Sequence, residues 1–197
     1  MKGTLLNNEL LAKYTSWRVG GPAERMYLPE GREDLIAFLK TLPEEENVYW
    51  LGLGSNLLVR DGGIKGTVIN TRGRLKAMQL VDSNKVYVEA GVPCAHVARF
   101  CVGLGLTGAE FLAGIPGTMG GALKMNAGAF GGETWNIVDS VEVIDASGEV
   151  TKRGVNEFEV AYRSVKGLQD EWFLSVDLKL TQDESELSQQ KIKDLLE

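Results

Sequence analysis

Residues 114–132 read Gly-Ile-Pro-Gly-Thr-Met-Gly-Gly-Ala-Leu-Lys-Met-Asn-Ala-Gly-Ala-Phe-Gly-Gly and hold seven of the chain's 24 glycines. Ile115, Met119, Leu123, Met125 and Phe130 stand between those glycines, which is not the composition of a solvated linker. Glycine clustered among apolar residues brings backbone close to something packed against it, often a ligand. Successive N–H groups in such a loop form an anion-binding concavity, and a helix N-terminus adds to it. The expected guest is a phosphate or pyrophosphate.

A second cluster, Gly52-Leu53-Gly54-Ser55-Asn56-Leu57-Leu58, follows the apolar run Val48-Tyr-Trp-Leu51, which reads as a buried strand. The dinucleotide-binding fingerprint of the Rossmann kind needs a third glycine at position 57, where leucine stands. No Gly-Lys-Ser/Thr follows either cluster, so the P-loop pattern fails as well. Either cluster alone reads equally as a tight turn. Two in one short chain point to a phosphate-bearing ligand.

A chain of 197 residues buries a sizeable core as one domain or two small ones. Its net charge of −6 and lack of a basic block argue against a nucleic-acid partner. No apolar run is long enough to span a bilayer, and residues 1–9 lack the apolar core of a signal peptide, which predicts a cytoplasmic chain. Cys94 and Cys101, seven apart in a predicted helix, stand about 10 Å apart along its axis, too far for a disulfide. His96 is the only histidine and has no partner at ligand spacing. It reads as structural, no metal is expected, and a histidine-dependent catalytic triad is disfavoured.

The pattern along the chain predicts a short strand at 25–28, a helix over 32–42 with Leu35, Ile36, Leu39 and Leu42 on one stripe, and strands at 48–53 and 67–69. These make a β-α-β unit that closes near Arg72. Strands at 75–81 and 86–90, a helix from Pro93 to about Val102, the glycine loop, a hairpin over 138–152 and an alternating strand over 171–180 make a second lobe. In that last strand Trp172, Leu174, Val176, Leu178 and Leu180 are expected on one face. The organisation is thus lobe one over 1–72, lobe two over 73–181, and an acidic helix over 182–197.

Taken in order, Thr15-Ser-Trp-Arg-Val-Gly-Gly-Pro-Ala23, Gly52–Leu58, Asp61-Gly-Gly63, Gly108–Gly117, Met125–Glu133 and Tyr162-Arg-Ser164 resemble the UDP-N-acetylenolpyruvoylglucosamine reductase (UDP-N-acetylmuramate dehydrogenase) family of bacterial cell-wall synthesis. The resemblance runs from about Leu10 to Leu180. It implies an α+β, two-lobed FAD-binding fold of the vanillyl-alcohol-oxidase-like type, with FAD held non-covalently. It assigns cofactor binding to Gly52, Leu53, Gly54, Ser55, Asn56, Leu57 and Leu58 in one loop. In the other it assigns Gly114, Ile115, Pro116, Gly117, Thr118, Gly120, Gly121, Asn126, Ala127 and Gly128. It implies NADPH as hydride donor and a UDP-sugar enolpyruvyl ether as substrate. Arg163 matches the arginine that stabilises the developing enolate, and Tyr162 beside it would line the substrate site. Outside the resemblance, Arg163 reads as a surface ion pair with Glu157 or Glu159.

Family members continue into a third domain that binds the UDP portion and supplies a proton-donating serine and a glutamate. Nothing after Thr181 resembles it. The chain is therefore expected to be the flavin-binding part, able to hold FAD but poor in turnover, because losing a general acid costs about 100- to 10,000-fold. Self-association through the face left bare is a further expectation. The competing readings are a flavin-binding module without redox turnover, acting as a sensor or complementing subunit, and a phosphate-binding domain of other chemistry.

Overall fold

A computed structural model of the chain describes residues 1–182 and 188–196. In the first lobe, β1 (Thr4–Leu10) and β2 (Pro22–Leu28) lead into α1 (Arg32–Leu39), followed by β3 (Val48–Leu51) and β4 (Ile64–Asn70). The sheet order is β1-β2-β4-β3; β4 runs parallel to both of its neighbours and β1 antiparallel to β2. This contains the predicted β-α-β unit. β1 was not predicted: it is a mostly exposed edge strand with no alternation to betray it. α1 stops at Leu39, short of the predicted Leu42, since Pro43 disfavours helical geometry in the residue before it.

The second lobe continues with β5 (Met78–Asp82), β6 (Lys85–Glu89), α2 (Cys94–Gly103), the two-residue β7 (Leu106–Thr107), a 3-10 turn over Glu110–Gly114 and α3 (Met119–Met125). Then come the short hairpin β8 (Gly128–Ala129) and β9 (Gly132–Glu133), the long strands β10 (Val138–Asp145) and β11 (Val150–Gly154), and a second hairpin, β12 (Glu159–Ala161) and β13 (Ser164–Lys166). β14 (Glu171–Lys179), β15 (Thr181–Gln182) and α4 (Ser188–Leu196) complete it. An antiparallel sheet, β11-β10-β14-β6-β5, forms its centre. The fold is α+β, as expected.

The first sheet buries both faces by simple alternation. Met26 and Val68 pair in register and join Leu11, Leu51 and Val59 on one side. Tyr27 and Ile69, one residue on, meet Leu35, Phe38 and Leu39 of α1 on the other. That second cluster also takes in Ala90, Ile144 and Leu174, so it is the joint between the lobes. The far face of the second sheet, with Val86, Val88, Val141 and Val176, packs on α2 and α3 through Val97, Cys101, Met119 and Leu123.

The expected single face of β14 is a correction. Trp172 and Leu174 lie in the inter-lobe cluster, whereas Val176 and Leu178 lie in the opposite one. A register shift against β10, from Ser175↔Glu142 to Phe173↔Val143, leaves Leu174 as an extra residue and reverses the faces. A polar clasp spans the same joint. Arg32 of α1 donates from Nη1 and Nη2 to the two Glu142 carboxylate oxygens of β10, at 2.5 and 2.9 Å. The Arg32 guanidinium holds the Glu142 carboxyl below its ordinary range against the opposing effect of burial.

Of the acidic helix expected over 182–197, residues 183–187 and 197 lie outside the described residues, and α4 packs back onto the second lobe. Ile192 is buried, whereas Leu196 is exposed. The Ser188 hydroxyl donates to Glu110 Oε1 at 2.8 Å. Cys94 and Cys101 are free, as expected, and are buried, with both thiols pushed up to about 12 by burial. His96 departs from the structural reading: it sits on the exposed side of α2.

Candidate functional site

The two glycine segments meet between the lobes. A cavity of about 360 Å³ is lined by Gly52, Leu53, Gly54, Ser55, Asn56 and Leu57 from the first lobe. The second lobe contributes the Gly114–Thr118 turn, Gly121, Ala127, Gly128 and Arg163. A further cavity of about 320 Å³ shares Trp50, Leu51, Gly52, Thr118, Gly121 and Met125 with it and adds Gly120 and Trp172. Trp50 of β3 and Trp172 of β14 stack across the joint with ring centroids 5.7 Å apart. The pair of spaces forms one inter-lobe trough, in the size range of small-molecule and cofactor sites.

Most of the residues assigned to the cofactor are thus brought together. Two stand apart. Leu58 is 69% exposed and lines neither space. Asn126 is buried and lines a neighbouring cavity.

Close packing explains the glycines. Gly54 has φ 66° in the left-handed region, and a Cβ there would overlap the Tyr14 carbonyl. A Cβ on Gly52 would overlap Thr118 Oγ1, so the two walls touch at that point. The 114–132 stretch is not all loop, however. Its middle forms α3, and the Met119 and Gly120 amides donate to the Val92 and Ala90 carbonyls, both at 2.9 Å. Those first helical donors are therefore spent on holding α3 to the turn that follows β6. The expected contribution of a helix N-terminus to an anion site is reduced accordingly.

The remaining donors are elsewhere. The successive amides of Gly52 through Asn56 donate to no acceptor among the described residues, nor do those of Thr118 and Gly121. Backbone N–H groups lining a cleft without partners are costly unless something accepts from them. This donor set suits a pyrophosphate, and the Trp50 and Trp172 side chains beside it suit flat rings.

At the mouth stands the β12–β13 hairpin, with Tyr162-Arg163 as its two-residue turn. Tyr162 is 84% exposed. Arg163 adopts φ 52°, a conformation rare for a residue with a side chain. The ion pair expected with Glu157 or Glu159 is not formed. Arg153 takes Glu157 and Lys166 takes Glu159, and among the described residues no carboxylate pairs with Arg163. Asn126 places this hairpin: its Nδ2 donates to Glu133 Oε2 at 2.8 Å and reaches the Ala161 carbonyl at 3.4 Å, while its Oδ1 accepts from the Trp135 amide.

Residues 23–154 match the family described as FAD binding domain. A UDP-N-acetylenolpyruvoylglucosamine reductase from Legionella pneumophila (strain Lens) is 59% identical over 195 residues, covering 99% of this chain and 63% of that protein. One of the same name from Nitrosococcus oceani is 56% identical over 196 residues, covering 100% of this chain and 66% of that protein. The solved structure of UDP-N-acetylenolpyruvylglucosamine reductase from Thermus caldophilus superposes with a TM-score of 0.79 at 33% identity, over 99% of this chain and 68% of that one. The chain belongs to the UDP-N-acetylenolpyruvoylglucosamine reductase family. It spans less than two thirds of the length of the curated relatives it matches most strongly.

Proposed function

We propose that the inter-lobe trough holds FAD non-covalently. On this reading the chain is the flavin-binding part of an NADPH-driven reductase that converts UDP-N-acetylglucosamine enolpyruvate to UDP-N-acetylmuramate in cytoplasmic peptidoglycan precursor synthesis. The observation that carries the reading is the row of amides from Gly52 to Asn56 that find no acceptor among the described residues, in a cleft also lined by Thr118, Gly121 and Arg163. The two sheets support residues 1–72 and 73–181 as the lobes that grip the cofactor. No cysteine or histidine is among the residues lining the trough, in keeping with a flavin held without a covalent bond.

When bound, FAD would supply the ring that takes hydride from NADPH and gives it to the enolpyruvyl carbon. The chain's own contribution is positional and electrostatic. The glycine amides hold the pyrophosphate, and the two tryptophans flank the trough. Arg163 presents a positive charge where the enolate develops, a type of contribution worth about 3–4 kcal/mol for one good donor. Tyr162 shares that turn and would line the substrate side. Self-association through the face that the third domain covers in the family belongs to the same reading, and sedimentation over a range of concentrations would reveal it.

The test is anaerobic. FAD-loaded chain is bleached with NADPH, then mixed with the enolpyruvyl substrate. Bleaching followed by a slow return of the flavin band, as expected of a chain poor in turnover, supports the reading. Bound flavin that NADPH does not bleach would remove the NADPH assignment, and failure to retain FAD would remove the whole.

A further inference from the structure

Two hairpin tips line a third cavity, of about 280 Å³, and each holds a residue with a large side chain in the left-handed region. One tip is Tyr162-Arg163. The other is Phe130-Gly131, between β8 and β9, with φ of 52° and 82°. Positive φ at both central residues of a two-residue turn is the geometry that selects Asn-Gly or Gly-Gly, so an aromatic residue in the first position is strained.

That strain brings no core burial, since Phe130 stays 54% exposed. Its ring edge instead rests on Gly114, the first residue of the flavin-side turn, where a Cβ would overlap it. Two sites are therefore constrained to seat one exposed ring: a disfavoured backbone at 130 and the absence of a side chain at 114. Backbone strain of this kind persists where the surroundings over-determine it, and it clusters at ligand sites. The polar groups of the same cavity are Arg163, Tyr162, Asn126 and Glu133. Asn126 and Glu133 already bond to each other, which leaves the Tyr162 hydroxyl and Arg163, and Arg163 is the one cation in that lining.

We infer that Phe130 is a specificity-determining residue of the substrate pocket, the apolar wall of a space whose anion-binding group is Arg163. The pocket then takes a carboxylate joined directly to an unsaturated carbon, as in an enolpyruvyl group. It disfavours a hydroxyl turned toward the ring, because the Phe130 wall itself offers no hydrogen-bond partner. The space admits the enolpyruvyl end rather than an entire UDP-sugar. This inference rests on the assignment of Arg163 to the substrate side.

The experiment uses the FAD-loaded chain, with flavin absorption as the readout. UDP-N-acetylglucosamine enolpyruvate, acrylate and glycolate are each titrated into wild type, Phe130→Gly, Phe130→Tyr and Arg163→Ala. Wild type is expected to prefer acrylate to glycolate. Phe130→Gly is expected to lose that preference and to bind the enolpyruvyl ligand at least roughly 10-fold more weakly, with Phe130→Tyr close to wild type. Its FAD affinity and melting temperature should not fall, since glycine suits the turn. If Phe130→Gly binds the enolpyruvyl ligand like wild type while Arg163→Ala does not, Arg163 keeps its role and the inference about Phe130 is overturned. Loss of FAD from Phe130→Gly would overturn it too, by making the residue a support of the flavin turn. If loaded wild type responds to none of the three ligands, the substrate-side assignment and the inference fall together.

Discussion

Arg163 Nη2 stands 3.5 Å from Asn56 Oδ1, so a hairpin turn of the second lobe meets the glycine loop of the first across the cleft mouth. At that distance the contact is weak. It leaves the guanidinium able to turn toward an incoming anion. Replacing Arg163 by alanine should therefore leave FAD affinity within about 3-fold, yet slow reoxidation of reduced flavin by the enolpyruvyl substrate about 100- to 1,000-fold. Arg163→Lys should recover part of the rate, since it keeps the charge but not the planar fork. Stopped-flow absorption gives both numbers.

The Gly52–Thr118 contact sets the width of the trough. Gly52→Ala places a methyl on Thr118 Oγ1 and should weaken FAD binding by at least about 10-fold, a loss of about 1.4 kcal/mol. Adding Thr118→Ala removes the group it strikes and should restore part of that loss. A double-mutant cycle on FAD dissociation constants measures the coupling. Additive effects would mean that the two walls do not meet there.

Asn126 ends α3 with φ 41° and satisfies the Trp135 amide while bridging toward the Arg163 hairpin. Asn126→Ala should cost about 2–3 kcal/mol, combining a left-handed backbone disfavoured for alanine with a buried donor left unpaired. Asn126→Gly should cost less, because it keeps the backbone conformation. Urea unfolding at neutral pH separates them.

Much of the second sheet was legible in the sequence, because strands such as β6 and β10 carry alternating or β-branched runs bounded by turn residues. The bulge that reverses the faces of β14 was not, since nothing in Phe173-Leu174-Ser175 marks an extra residue; it arises from pairing with β10. α3 was hidden because glycine is a poor helix former. It is helical because Met119, Ala122 and Leu123 are buried and its first amides bond to the turn that follows β6. The glycine walls of the site were visible as composition. Tyr162 and Arg163 carried no local signal and came only through resemblance. Phe130 was read as one of the apolar residues between glycines, although its place before Gly131 was the available sign of a two-residue turn.

Acid stability provides a check on lobe one. Burial alone would raise the Asp34 carboxyl, but the Tyr27 hydroxyl and the amides of Lys2, Glu30 and Gly3 donate to it and hold it at about 2. The folded value lies below the unfolded value of about 3.9. Its stabilising contribution is then complete above that value and is lost as pH falls from about 4 to about 2. Wild type should lose stability over that window, and Asp34→Asn, less stable at pH 7, should lose less of it. Urea midpoints from pH 2.5 to 7 test the sign.

The most direct measurement is the visible absorption spectrum of the purified chain after reconstitution with FAD and desalting. A retained flavin band, shifted from that of free FAD and lost in Gly52→Ala, is the predicted result. A colourless protein whose circular dichroism shows it folded would contradict the assignment of the trough to FAD.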